Sequence, residues 1–337
     1  MPNLKFAVLG PIPHDRITTH HGETLEKYGC VLYTVVALST LLGPDDQICP
    51  IVHVRRQDEL AIKDLLAPFS NVDVSGISSR TGRGDLVELN YVAENKRVEQ
   101  QTGFMAPIVP EDLAGVLDAD AFVCVPITDY EVSLDTLKYI KANSSGTILL
   151  DAHGPTNTLI RGGERFHRLW AERDTWLSSV DLLKMNLEEA GCSWFPPGDS
   201  PGGTTAGLPL PVSELPAFAE HCLQRGVQAV CVTLDKSGCA VYSYDDSGQM
   251  VEHIIDRLPV DHVVDTTGAG DSFAAGMAFG YLRYHDVVQA ARYGNAMGAQ
   301  RCAGSELAVY LPLEETDRQI ALAYNLQPGP HTDQIQE

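Results

Sequence analysis

Basic residues are scarce in this 337-residue chain: 24 Lys and Arg stand against 45 Asp and Glu, a formal charge of −21. That balance repels a nucleic-acid backbone and an anionic bilayer alike, so neither is an expected partner. Long apolar runs are missing too. The longest, roughly residues 30–42, is interrupted by Thr34, Ser39 and Thr40, and it falls short of the ~20 residues a membrane span needs. The opening MPNLKFAVLGP holds an apolar run too short for a secretory signal, and a cytoplasmic protein is expected. The eight cysteines form no CxxC pair and no regular framework. Several, such as Cys124 in AFVCVP and Cys231 in AVCVTL, sit inside apolar runs and read as buried, reduced thiols. No GxxxxGK[ST], HExxH or GxSxG string occurs, so P-loop, zinc-peptidase and hydrolase-elbow chemistry lack their residues.

What is present points to an α/β fold. With 44% hydrophobic and 20% charged residues, the chain can fill one large core or two smaller ones. Short β-branched runs alternate with helical patterns, the sign of βαβ units around a largely parallel, doubly wound sheet flanked by helices. Strands are expected at about 4–9, 48–53, 121–125, 147–150, 180–183 and 228–234. Helices are expected near 30–42, 57–67, 133–142, 213–225, 270–284 and 286–302, with Ser213 as an N-cap. Residues 239–244 and 250–255 read as a hairpin around Asp245-Asp246-Ser247-Gly248. The alternating DLVELNYV at 85–92 and the segment to 101 form another hairpin with no helix after it. Together with the polar stretch at 15–22, it predicts a small β-sheet lid projecting from the main sheet. No linker is rich enough in Pro, Gly or Ser to divide residues 1–326, which read as one domain. Residues 198–207 read as the loosest internal loop, and 327–337 as a disordered tail.

The strongest chemical signal is Asp265-Thr-Thr-Gly-Ala-Gly-Asp271, followed by SFAAGMAFGYL. An extended Val263-Val264 leads into a helix whose apolar face begins at Phe273. Gly268, Ala269 and Gly270 therefore fall in the first turn, where N–H groups lack partners and the dipole is positive. Small residues there let an anion approach the backbone, so this is an expected phosphate cradle. Asp271 sets a carboxylate beside it. Such a group repels the anion unless it has another task, and accepting the proton of an attacking hydroxyl is the natural one.

A second string, Lys184-Met-Asn186-Leu-Glu-Glu189, follows a strand. Asn186 and Glu189 are three apart, on one face of a helix start. That spacing is also a capping box, and from the residues alone both readings stand. Lys184 is either a cation near the phosphates or solvated. Thr233 and Gly238 bracket a strand-end turn, and Asn295 lies in the helix RYGNAMGAQ. Asp15, after Gly10-Pro-Ile-Pro-His14, is a carboxylate near the end of the first strand, where open sheets bind ligands. Asp151, ending another strand, is a further candidate for the ligand edge.

The string DTTGAGDSFAAG resembles the C-terminal signature of the ribokinase-like (PfkB-type) carbohydrate kinases, and the resemblance extends from Phe6 to about Pro312. It implies a doubly wound α/β domain, a small lid and transfer of the ATP γ-phosphoryl group to an alcohol of a small sugar or polyol. Gly268, Ala269 and Gly270 match the anion hole and Asp271 the base. Asn186 and Glu189 match residues that act through water on magnesium, while Asp15 matches the aspartate that binds substrate hydroxyls. Thr233, Gly238 and Asn295 match positions around the nucleotide, with Asp235 where the turn usually has glycine. Gly29-Cys30 stands for the usual Gly-Gly, and Thr34 for an asparagine, both beside the expected sugar pocket with Asp151. The cofactors implied are ATP and Mg²⁺, with a monovalent cation a further candidate, and the implied assembly is a homodimer through the lid. A nucleoside kinase of the same fold and an inactive sugar- or nucleotide-binding protein are the alternatives.

Overall fold

A computed structural model describes residues 3–19, 21–93, 96–160, 162–195 and 207–326. Residues 327–337 lie outside it, as does the expected loose loop at 198–207, Gly207 apart. In chain order the elements are β1 (Lys5–Leu9), β2 (His14–Thr18), β3 (Thr24–Tyr28), α1 (Val31–Leu41), β4 (Gln47–His53), α2 (Glu59–Leu66) and β5 (Ile77–Ser78). β6 (Leu86–Ala93), β7 (Lys96–Gly103), β8 (Ala121–Cys124), α3 (Leu134–Asn143), β9 (Thr147–Asp151), β10 (Asn157–Leu159), β11 (Arg165–His167) and α4 (Arg173–Leu177) follow. The C-terminal half adds β12 (Leu182–Asn186), α5 (Leu187–Ser193), α6 (Leu215–Leu223), β13 (Ala229–Thr233), β14 (Cys239–Tyr244), β15 (Met250–Ile255), α7 (Ala269–Tyr284), α8 (Val287–Cys302) and α9 (Leu313–Ala323).

Nine strands form the main sheet in the order β15-β14-β13-β12-β9-β8-β1-β4-β5. The seven from β13 to β5 run parallel, and β14 and β15 close one side as the expected antiparallel hairpin. Parallel strands covered on both faces read as unbroken apolar runs, which is why AFVC and TILL are so plain in the sequence. Phe6, Phe122, Phe218, Phe279 and Trp170 are fully buried in one continuous core. Chain order reverses between β1 and β8, so the crevice at their carboxyl ends is the switch point where doubly wound sheets take ligands. Gly10, just past β1, has φ 148°, and a Cβ there would come within 2.6 Å of the Val125 carbonyl oxygen.

A separate sheet, β3-β2-β6-β7, is the expected lid. Residues two apart on a strand share a face. Val87 and Leu89 on β6 accordingly join Ile17 on β2 in a small apolar cluster with Ile127, turned toward the switch point. The β10–β11 hairpin leans on the free side of β7, where Gln101 N donates to Gly163 O at 2.7 Å and Gln100 bridges to Glu164.

Two expectations need correction. Asp15 lies within lid strand β2, not at the end of β1, because the chain turns out of the main sheet at Pro11–Pro13. Ser213 is not an N-cap: it sits in a 3-10 turn, Val212–Glu214, and α6 begins after it with a proline in its first turn. Proline needs no N–H partner there and fixes the helical φ, so the helix starts without a side-chain cap.

Candidate active site

The cleft between sheet and lid has a volume of about 290 Å³ and collects residues from both. Its floor is the carboxyl edge of the parallel strands. Asp151 ends β9; beside it on β12 stand Lys184, its cross-strand partner, and Asn186, the last residue of that strand. Lys184 Nζ lies 2.6 Å from Asp151 Oδ2, both side chains being 6% exposed. The solvated reading of Lys184 is therefore wrong. Burial works against its charge, but Asp151 and Glu189 outweigh it and hold the ammonium well above its ordinary pKa. A Cβ on Gly270 would stand 3.0 Å from Nζ, so the cation lies directly beneath the expected phosphate cradle.

Asn186 and Glu189 do form a capping box. Glu189 N donates to Asn186 Oδ1, and Asn186 N to Glu189 Oε2, each at 2.8 Å. The second Glu189 oxygen lies 2.9 Å from His153 Nδ1. Burial alone would raise Glu189, but His153 and Lys184 draw it below the usual carboxylate range. His153, which also lines the cleft, is held above its ordinary pKa by Glu189 against the effect of burial.

The wall opposite is the 265–271 loop. Asp265 Oδ1 accepts from Thr267 N at 2.9 Å. Gly268 takes φ 81° to enter α7, and a Cβ there would run into the Tyr33 ring, so both conformation and packing require glycine. Gly268, Gly270, Thr266 and Thr267 line the cleft. Ala269 does not, and its N–H donates to Thr266 O at 3.2 Å. The small-residue string thus presents its two glycines and turns its alanine back. Asp271 stands one residue further, in the first turn of α7. Burial, then the Asp151 charge, push it up to about 6 against the opposing pull of Lys184 and His153.

The roof is supplied by the lid. Asp15 is buried, and a Cβ on Gly29 would come within 2.9 Å of its Oδ2, so Gly29 makes room for that carboxylate. Cys30 keeps a positive φ of 48°, the conformation a second glycine would take without strain. Thr34 Oγ1 donates to Asp271 O at 3.2 Å, pinning the start of α7 to α1. Arg165 and Glu99 complete the rim, 3.3 Å apart. Arg165 was missed by sequence reasoning: it is a single arginine in an unpatterned hairpin, and only the contact of that hairpin with β7 brings it in.

Thr233, Gly238 and Asn295 do not line this cleft. Thr233 pairs with Asn186 at the adjoining strand end, and its hydroxyl donates to Met185 O at 3.3 Å. Asp235 holds φ 50°, so it keeps the left-handed turn that glycine would give, as aspartate can. Gly238 packs against the Ile255 carbonyl. Asn295 Nδ2 donates to the carbonyls of Ile255 and Asp256 at 3.4 and 3.1 Å. Asn295 therefore fastens the end of β15 to α8.

These features align with known proteins. The model of the pfkB family of carbohydrate kinases matches residues 167–312. That stretch includes the capping-box helix α5, the β13–β14 turn and the whole 265–271 loop. An uncharacterized sugar kinase of Archaeoglobus fulgidus is 39% identical over 83 residues, 24% of this chain and 30% of that one. The 2-dehydro-3-deoxygluconokinase of Bacillus subtilis is 35% identical over 135 residues, 39% of this chain and 36% of that one. The chain thus matches about a third of the length of these relatives. The likeness of fold extends further than the sequence match. The ribokinase of Arabidopsis thaliana, complexed with ribose and ATP, superposes with a TM-score of 0.71 at 16% identity, covering 95% of this chain and 99% of that one. The main sheet and lid are those of the ribokinase fold.

Proposed function

We propose that the protein is an ATP-dependent kinase that moves the γ-phosphoryl group to an alcohol of a small sugar or polyol, acting in the cytoplasm. One observation carries this reading: Asp271 and the two glycines of a helix N-terminus share a cleft with buried Asp15 from the lid. The amides of that first turn face developing negative charge, and Lys184 supports them from below. Asp15 accepts hydrogen bonds from the acceptor's hydroxyls, and Asp271 takes the proton of the attacking hydroxyl as its oxygen bonds to phosphorus. The apolar roof of Val87, Leu89 and Ile127 excludes water, the competing acceptor. The nucleotide base extends toward Thr233, Gly238 and Asn295, and two chains pair through their lids.

Magnesium fits this donor set through its waters. Asn186 Oδ1 and both Glu189 oxygens each already accept one bond, yet each keeps a lone pair for a metal-bound water. When bound, the ion neutralises charge on the transferring phosphates. Glu189→Gln keeps the cap's shape but gives up the buried charge that faces His153, so some stability should be lost, while the magnesium concentration for half-maximal rate rises severalfold. A stability loss with unchanged magnesium dependence would assign Glu189 to the helix cap alone.

The deciding experiment is an acceptor panel of sugars, polyols, sugar acids and nucleosides with ATP, the phosphorylated product being identified by mass. Absence of product from every member would remove the kinase reading. Arg165 favours one class within the panel. Its guanidinium on the rim is suited to a carboxylate, and the matched stretch of the Bacillus subtilis relative belongs to a kinase of a sugar acid.

A further inference from the structure

Asp265 opens the phosphate-cradle loop, and its two oxygens are used differently. Oδ1 fixes the loop by accepting from Thr267 N. Oδ2 receives two cations, Arg301 Nη2 at 3.2 Å and Lys27 Nζ at 3.1 Å. Arg301 is fully buried on α8, with its guanidinium 4.6 Å from the centre of the Tyr33 ring, the same ring that packs against Gly268. It comes from α8, outside the lid, and brings one positive charge to the one carboxylate. Lys27 comes from elsewhere. It lies on β3, the outer strand of the lid, and its cross-strand neighbour is Asp15. The side chains of Lys27 and Asp265 are 26% and 20% exposed, which spares the pair much of the screening that weakens a surface ion pair.

We propose that Lys27 is a positioning residue that couples closure of the lid over the acceptor to the order of the phosphate-binding loop. This rests on the kinase reading of the cleft. The second cation on Asp265 is superfluous for charge balance, but it joins the strand beside the acceptor carboxylate to the loop that cradles the anion. A phosphate that orders residues 265–271 presents Oδ2 to Lys27 and draws β3 down, and a closed lid holds Asp265, and through it Thr267, in place. Such a link must act in both directions with equal free energy. Removing Lys27 should break the link and spare the loop, because Arg301 remains.

Hydrogen exchange on the full chain tests this, with and without magnesium and a non-hydrolysable ATP analogue, on the parent, Lys27→Met and Lys27→Arg. In the parent the analogue should slow exchange both at 268–272 and across 24–28. In Lys27→Met the slowing at 268–272 should persist while that at 24–28 falls at least about fivefold, and Lys27→Arg should restore it. On the acceptor identified by the panel, Lys27→Met should raise KM about fivefold or more with kcat within about twofold. Undiminished slowing at 24–28 in Lys27→Met overturns the coupling. Equal loss in both segments, with a lowered melting temperature, overturns it in favour of simple structural support. No slowing at 268–272 in the parent would remove the nucleotide reading itself, and the proposal with it.

Discussion

Asp271→Asn should fold like the parent, bind ATP at least as tightly, and turn over at least ~10²-fold more slowly. An attacking alcohol has a pKa far above 7, so no carboxylate strips it in advance; the proton moves as the oxygen bonds to phosphorus. Asparagine keeps the size but cannot accept that proton. It also removes a negative charge from beside the phosphates, which is why affinity should not fall. The pH profile adds a second signature. With Asp271 pushed up to about 6, the parent's kcat/KM should climb about tenfold per pH unit below 6 and level off above it. That limb should vanish in the variant. The sign for stability runs the other way. A carboxyl whose pKa is raised on folding contributes most below its unfolded value near ~3.9, and that contribution is lost as pH rises through about 6. Asp271→Asn should therefore be no less stable than the parent at pH 7. Calorimetry of ATP binding, set beside initial rates from pH 5 to 8, decides the matter. Parental turnover in the folded variant would take the base assignment away from Asp271.

Lys184→Met should be the most damaging single change to the cleft's framework, costing about 3–5 kcal/mol. The cost arises from what stays behind: Asp151 is buried, with Lys184 2.6 Å away across the strand pair. Without the ammonium that carboxylate must take up a proton or draw in water. Asp271 loses the cation that most holds its pKa down, so the rising limb of kcat/KM should move to higher pH in whatever enzyme remains folded. Adding Asp151→Asn should recover most of the stability, because it removes the orphaned charge, but not the rate. Chemical denaturation of the single and double variants reads this directly. If Asp151→Asn recovers nothing, the damage lies in packing rather than in the ion pair.

These residues show where the sequence could be read and where it could not. The main sheet was legible because strands buried on both faces demand unbroken apolar runs. The lid was legible because one face of DLVELNYV is wet and the other dry. That Gly268, Gly270 and Asp271 share one wall of the cleft was legible for a local reason: they lie within four residues, and backbone geometry needs no distant partner. The fate of Lys184 was not legible. Whether a lysine at a strand end is solvated depends on the neighbouring strand, and Asp151 is 33 positions away. Lys27 and Asp265 are 238 positions apart, one on the lid and the other on the 265–271 loop. Cys30 and Asp235 looked like departures from a glycine pattern, yet both hold the positive φ a glycine would have had. The backbone tolerates the substitution where the residue alphabet suggested a break.

The hairpin that carries Arg165 has a consequence for how such a protein changes its diet. Strands β10 and β11 follow Asp151, touch the far strand of the lid and precede α4. Asp271, the two cradle glycines and Lys184 all come from other elements. On the kinase reading, recognition at the rim and chemistry at the floor are thus written in separable stretches of chain. On that reading, rewriting residues 157–167 is a short mutational route to a new acceptor, one that leaves the rate-determining geometry inherited rather than reinvented.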